Sequence, residues 1–447
     1  MADRKASEKK INTREIVLQI LLEVLEKGGF SHLVLKNVLD KYAYLDKTDR
    51  NFIKRLSEGV IERGIELDYV IDQFSKTKVK KMKPMIRNIL RMGVYQIIYM
   101  EKVPDNAACN ESVKLAQAHQ FASLKGFVNG VLRNIARNRE TIVYPDQKKA
   151  PLEYLSVVYS MPEWICKMWL TRFGFEKTEK ILSGLLERRP VTIRLNVQPE
   201  ESAEVINALR EKGVAVTPVK ELAYAYQIAD FDRVDLLPGF SNGKFMVQDL
   251  GSMLITHLAG ISPGDNVIDV CGAPGGKALH AALLTGEKGH VDVRDLSDYK
   301  VSLIEENLAR TNFSNVTAKV WDATIGDSDS IGKADVVIAD LPCSGLGVIG
   351  RKADIKYRMK PEDIKEIAAL QRKILSVVQS YVKPGGILMY STCTLTEEEN
   401  EKNAAWFCEQ YPFERTRERT LLPGVWGENP DGTDGFFMVR FVRKKQK

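Results

Sequence analysis

Two cysteines stand in loops whose composition suits covalent chemistry. Asp340-Leu341-Pro342-Cys343-Ser344-Gly345 and Tyr390-Ser391-Thr392-Cys393-Thr394 close two short runs that read as strands, DVVIAD (335–340) and ILMYST (387–392). A lone buried cysteine is ordinarily a small core hydrophobe. Two of them, each at a strand end beside Pro or Thr in a polar loop, point instead to thiols that share one cleft. A disulfide between them is the other reading. The residues alone leave open which thiol would attack and which would assist.

A third segment supplies the binding chemistry. Asp269-Val270-Cys271-Gly272-Ala273-Pro274-Gly275-Gly276-Lys277 lies between a strand and a helix, where small residues let a ligand approach the backbone and a helix start presents amide donors. It is neither a GxGxxG dinucleotide fingerprint nor a GxxxxGK[ST] phosphate loop. Asp295 ends the next strand, where an acidic side chain accepts from ribose hydroxyls. Asp322 ends the strand after that, within reach of an adenine amino group. Carboxylates after three successive strands beside a glycine turn describe a nucleoside-containing cofactor. With no lysine-serine phosphate pair or metal motif nearby, S-adenosylmethionine fits better than a nucleotide. The candidate cofactor residues are Cys271, Gly272, Ala273, Pro274, Gly275, Gly276, Lys277, Asp295, Asp322 and Asp340. His257, His280 and His290 read as packing or surface residues, and no metal is expected.

Positioning such groups requires a sheet. From 246 onward, strands are expected at 266–270, 290–295, 316–322, 335–340 and 387–392, with a late pair near 413–420 and 435–443. Helices are expected at 277–285, 299–312, 361–382 and 397–410. This alternation argues for a doubly wound, Rossmann-like sheet with ligands at the carboxyl ends of its strands. Residues 11–140 read as helical throughout, with apolar spacing in REIVLQILLEVLEK (14–27) and a continuously apolar MIRNILRMGVYQIIYM (85–100). Between them, 151–245 reads as a small α/β domain of RNA-recognition type, although it has no aromatic RNP-like run. The division expected is therefore 1–142, 151–245 and 246–447.

Composition bounds the class. The chain has 447 residues, 44% apolar and 28% charged, enough for two or three globular domains. No stretch approaches a membrane span, and the polar opening MADRKASEKK has no following apolar region of a secretory signal. Six cysteines in so long a chain are too sparse for a disulfide scaffold and are not spaced as zinc pairs. A cytoplasmic monomer is expected. Residues 1–150 carry 28 basic and 18 acidic side chains, and the remainder carries 37 and 41. A basic front on a slightly acidic body suggests a handle for a polyanion, with a solvated lysine-rich face as the bland alternative.

The motifs DVCGAPGGK (269–277), DLPCSG (340–345) and YSTCTLTEEEN (390–400), with VQDLGSM (247–253) and DGFFMVR (434–440), resemble the RNA (cytosine-5) methyltransferase family of the Sun/RsmB, NOP2 and NSUN type. NESVKLA (110–116) and GFVNGVLRN (126–134) resemble a NusB-like RNA-binding domain. The resemblance covers nearly the whole chain. Leu341, Gly272 and Ala278 depart from its commonest residues at positions the chemistry does not require.

What the resemblance implies is specific. The substrate would be 16S ribosomal RNA, at a cytosine C5 (position 967 in the branch with this front domain). Cys393 would be the nucleophile that adds at C6, and Cys343 the thiol that helps release the methylated base. DNA cytosine-5 methyltransferases use the Pro-Cys thiol to attack, so this split rests on the resemblance. Asp340 would hold the cytosine edge and Lys277 would orient Asp340. Basic residues of the front domain, with Arg351, Lys352 and Lys356, would grip RNA phosphates. The competing reading is a non-enzymatic rRNA-binding assembly factor, against which the intact turn, carboxylates and both cysteines argue.

Overall fold

The computed structural model describes residues 11–188, 190–425 and 433–445; the polar opening stretch at 1–10 lies outside them. The chain forms two compact units. One runs to Leu182 and also takes in Arg351–Arg358, and the other comprises Ser183–Gly350 with the chain from Met359.

The first unit is helical. Its longest helix, Lys47–Phe74, begins where the Asp46 side chain accepts from the Asp49 N–H at 2.7 Å. It packs with Pro84–Tyr99, which buries Ile86, Ile89, Leu90, Val94 and Ile97, so the apolar run there lies in the core as expected. Asp105–Ala118 and Lys125–Arg137 close this bundle. Glu66 is buried on the long helix and accepts from Tyr99 Oη at 2.6 Å, Tyr144 Oη at 2.8 Å and Arg63 at 3.1 Å. Those donors satisfy a carboxylate that burial alone would penalise. The helices Pro151–Val158 and Glu163–Phe173 belong to this unit as well.

The second unit holds two sheets. The smaller comprises β1 (Val191–Leu195), β2 (Ala215–Pro218), β3 (Ala225–Ala229) and β4 (Phe245–Val247). They are ordered β2-β3-β1-β4 and all pairings are antiparallel. The helix Ser202–Glu211 lays Val205, Ile206 and Leu209 on Ile193, Leu195 and Ile228.

The larger sheet contains β5 (Asn266–Asp269), β6 (His290–Asp295), β7 (Val316–Val320), β8 (Ala334–Asp340), β9 (Val382–Thr392), β10 (Phe413–Leu421) and β11 (Phe436–Arg443). Their order is β10-β11-β9-β8-β5-β6-β7. Pairings among β5 to β9 are parallel, and the last two strands add antiparallel to β9. The chain winds outward from β5 through β6 and β7, then returns to place β8 and β9 on the other side. The reversal lies between β5 and β8, where open α/β sheets leave a crevice at the strand ends. Central β8 reads as a nearly unbroken apolar run because both faces are covered, and it ends on Asp340 at the crevice.

Candidate active site

The turn after β5 is set by close approach. A Cβ on Gly272 would come within 2.2 Å of Val293 Cγ2 on β6, so glycine lets the turn lie on that strand without displacing Val293. The Gly272 N–H donates to the Arg294 carbonyl at 2.8 Å, and Gly275 closes the turn at φ +104°, a conformation that favours glycine. The Ala273–Pro274 peptide is cis. The helix Gly276–Thr285 then starts with its amides at the crevice, as expected for 277–285. Arg194 on β1 is wholly buried and donates to the Gly276 carbonyl at 3.3 Å, tying the smaller sheet to the start of this helix.

Carboxylates line the crevice. Asp269 is wholly buried and neither oxygen has a well-formed hydrogen bond. Burial pushes its pKa up to about 7 against the pull of Lys277 and the Cys271 N–H. Asp295 is buried, with one oxygen accepting from Ala273 N–H at 3.0 Å and the other from Leu296 N–H at 2.7 Å and Lys300 at 2.9 Å. Asp322 lies two residues past β7, where the Thr324 N–H at 2.8 Å lowers its pKa. Leu296, next to Asp295, is 63% exposed and offers an apolar face to a base. A set of carboxylates around an apolar ledge suits a nucleoside that carries cationic groups, as S-adenosylmethionine does. The orphaned Asp269 carboxylate fits the same reading.

The thiols meet at the ends of β8 and β9. These strands are parallel neighbours, with Asp340 opposite Ser391 in register, so the two loops lie side by side. Cys343 Sγ and Cys393 Sγ are 3.1 Å apart, and the Cys393 N–H points at Cys343 Sγ at 3.3 Å. Both are free thiols, which sets aside the disulfide reading. The hydrogen bond to Cys393, then burial, then the charges of Cys393, Glu399 and Asp340 push the Cys343 thiol well up. Cys271, the third cysteine of the crevice, is also pushed up by burial and by Asp269, which leaves it an inert thiol.

Lys277 completes the cluster. Its Nζ lies 2.5 Å from Asp340 Oδ2, while Ser391 Oγ donates to Asp340 Oδ1 at 2.7 Å. Burial works against the ammonium, but Asp340, Asp269 and Cys393 together hold its pKa above the ordinary lysine value. The structure thus brings Asp269, Cys271, Gly272, Lys277, Asp340, Cys343 and Cys393 to one strand-end edge.

Family comparisons agree with this architecture. The NusB family matches residues 11–137, an RsmF/B-like ferredoxin-like domain matches 161–235, and the 16S rRNA methyltransferase RsmB/F family matches 257–440. A probable ribosomal RNA small subunit methyltransferase B of Bacillus subtilis (strain 168) is 35% identical, over 98% of this chain and 100% of its own. This chain belongs to the RsmB/F family of rRNA small subunit methyltransferases. Its front is a NusB domain, its middle is ferredoxin-like, and its C-terminal domain is an S-adenosylmethionine-dependent methyltransferase fold. Two solved structures share the fold. PH0851 is 24% identical with a TM-score of 0.79, over 96% of this chain and 99% of that one. NSun6 from Pyrococcus horikoshii with SFG is 21% identical with a TM-score of 0.56, over 65% of this chain and 100% of that one.

One expected phosphate contact is corrected. Lys356 is only 2% exposed, and its Nζ donates to the carbonyls of Glu62 and Ser160, each at 2.6 Å. A side chain so enclosed cannot grip RNA; it anchors Arg351–Arg358 within the helical unit. Lys352 is exposed. Among the described residues no helix is long and apolar enough to cross a membrane, and no group of three or more His, Cys, Asp or Glu is placed to hold a metal ion.

Sequence reasoning assigned nothing to Arg194, Leu296, Ser391, Gln371 or Glu399. The one local signal was Thr396-x-x-Glu399, a capping-box spacing just before the helix Glu401–Gln410. That pattern predicts an ordinary helix start, whereas Glu399 is turned inward and wholly buried.

Proposed function

We propose that this family member transfers a methyl group to C5 of a cytosine in 16S rRNA, at position 967, through a covalent adduct between Cys393 and C6. The observation that carries the reading is the pair of free thiols 3.1 Å apart beside the Lys277–Asp340 ion pair. Methylation of an exocyclic nitrogen would need neither thiol.

C5 of cytosine is too weak a nucleophile to take a methyl group unaided. Cys393 gives its thiol proton to water in the crevice as Sγ adds to C6, and the electron pair of the C5–C6 double bond becomes available at C5. Bound S-adenosylmethionine supplies a methyl group on a sulfonium, an electrophile for that carbon. Asp340 faces the cytosine edge, sharing a proton with N3 and accepting from the exocyclic amine, while Lys277 fixes its carboxylate. In the resting enzyme Cys343 keeps its proton because Cys393 holds its pKa up. Once Cys393 Sγ is bonded to C6 it no longer accepts the hydrogen bond from Cys343, so Cys343 can surrender its proton to water in the crevice. The Cys343 thiolate then takes the C5 proton. The C5–H electron pair re-forms the double bond as the Cys393–C6 bond breaks and returns its pair to sulfur.

The proposed division of labour follows the chain. Residues 1–142 hold RNA, 151–245 connect and assist recognition, and 246–447 carry the reaction, with cofactor contacts from Cys271 to Lys277, Asp295, Asp322 and Asp340. The target base must leave its stack to reach the thiols, which costs a few kcal/mol. The test is nucleoside analysis of unmodified 16S rRNA after incubation with enzyme and S-adenosylmethionine. 5-Methylcytidine, located at the proposed position by sequencing, is expected. N4-methylcytidine or a methylated uridine would overturn the reading.

A further inference from the structure

We propose that Glu399 is the positioning residue that holds Cys343 in place for the release step, an inference that rests on the two-thiol reading above. Glu399 touches neither sulfur. Its Oε1 accepts from the Ser344 N–H at 2.8 Å and Gln371 Nε2 at 3.2 Å. Its Oε2 accepts from Ser344 Oγ at 2.5 Å and Thr396 Oγ1 at 2.7 Å. Four neutral donors fill the carboxylate, which explains how a wholly buried acid is tolerated there.

The partners are the residues that flank the thiols. Ser344 directly follows Cys343, and its Oγ lies 2.6 Å from Thr394 Oγ1, which directly follows Cys393. Gln371 also donates to the carbonyl of Pro342, the residue before Cys343, at 2.9 Å. Glu399 and Gln371 therefore grip the Cys343 loop on both sides. On the Cys393 side, the Glu399 carboxylate accepts from Thr396 and reaches Thr394 through Ser344 Oγ. Tyr390 Oη donates to the Glu399 carbonyl, and the Asn403 side chain donates to Gln371 Oε1 at 2.8 Å, so the grip is anchored in β9 and the following helix. This asymmetry makes loss of Glu399 a defect of release more than of attack.

Glutamine at 399 can keep the links, because the hydroxyls of Ser344 and Thr396 can turn to accept from a carboxamide. Alanine cannot. The experiment measures turnover on unmodified 16S rRNA and covalent protein–RNA adduct on a denaturing gel, for wild type, Glu399→Gln, Glu399→Ala and Cys343→Ala. Glu399→Ala is expected to lower kcat at least about tenfold with KM for RNA and cofactor within about threefold, and to accumulate adduct. Glu399→Gln is expected to turn over within about threefold of wild type with no adduct. A merely structural role would lower turnover and adduct together, in proportion to the folded fraction, and that result overturns the proposal. Wild-type behaviour of Glu399→Ala also overturns it. Should Glu399→Ala not fold, Ser344→Ala breaks the same link with the backbone contact intact, and adduct is expected there as well. An adduct-free Cys343→Ala would instead count against the two-thiol reading itself.

Discussion

Lys277 and Asp340 meet at 2.5 Å in a crevice that also holds the unpaired Asp269 carboxylate, so one ammonium serves two acids. Replacing Lys277 by Met leaves both carboxylates without it, and Asp340 loses the partner that fixes its orientation. Lys277→Met is expected to lower kcat by about 100-fold while KM for RNA stays within about threefold, as steady-state methyl transfer would show. An equal rise in KM with kcat preserved would make Lys277 a binding residue. The grouping of the crevice residues was legible because each sits near a strand end in an unusual motif. Glu399 was not, because Glu397-Glu398-Glu399 presents three identical side chains and only the fold turns the last one inward. Lys356 was misread for the complementary reason. A lysine in a basic loop reads as solvated, and only packing reveals its enclosure.

At the scale of elements, the segment Arg351–Arg358 shows how a short loop gains a fixed place. Ser31 Oγ donates to the Asp354 carboxylate, Tyr357 Oη donates to the Ile61 carbonyl at 2.8 Å, and Arg358 lies over the Phe30 ring. Burial pushes the Lys356 pKa down to about 7, and a neutral amine has two N–H groups for its two carbonyl partners. Below about pH 7 the folded and unfolded chains both carry this proton. Above it, the unfolded chain keeps a proton that the folded chain has lost, so stability rises with pH. Denaturant titrations at pH 7 and pH 9 are expected to show a gain of about 2 kcal/mol in wild type that Lys356→Met lacks. The same gain in both proteins would place the titration elsewhere. Periodicity located the strands of the large sheet to within a few residues but missed the start of β9. Lys383-Pro384-Gly385-Gly386 has turn-type composition, yet β9 runs through it from Val382, with Gly385 at φ +83° and the pairing to β8 shifted between Ala334 and Val336. Breaker residues there mark an irregular strand rather than its end.

Across the whole molecule, charge is partitioned as the sequence suggested, and the helical unit concentrates it at one place. Lys76, Lys78, Lys80, Lys81 and Lys83 are all exposed, on a turn pinned by buried Val79 and Met82 and by the Val79 N–H on Asp72 Oδ1 at 2.7 Å. A rigid lysine turn of this kind suits a phosphate backbone. With these lysines replaced by serine, the slope of log affinity against log salt is expected to fall by about 0.7 to 0.9 for each phosphate that the turn neutralises in the wild type. Activity at saturating RNA is expected to remain, since none of the five belongs to the crevice. An unchanged slope would assign RNA binding to another face. The division of roles between the two sulfurs is decided by a single comparison. Cys393→Ala and Cys343→Ala are each incubated with S-adenosylmethionine and unmodified 16S rRNA, then assayed for methyl transfer and for adduct on a denaturing gel. A stable adduct in Cys343→Ala, with neither adduct nor transfer in Cys393→Ala, is the result expected. Adduct in Cys393→Ala alone would make Cys343 the nucleophile and reverse the proposed roles.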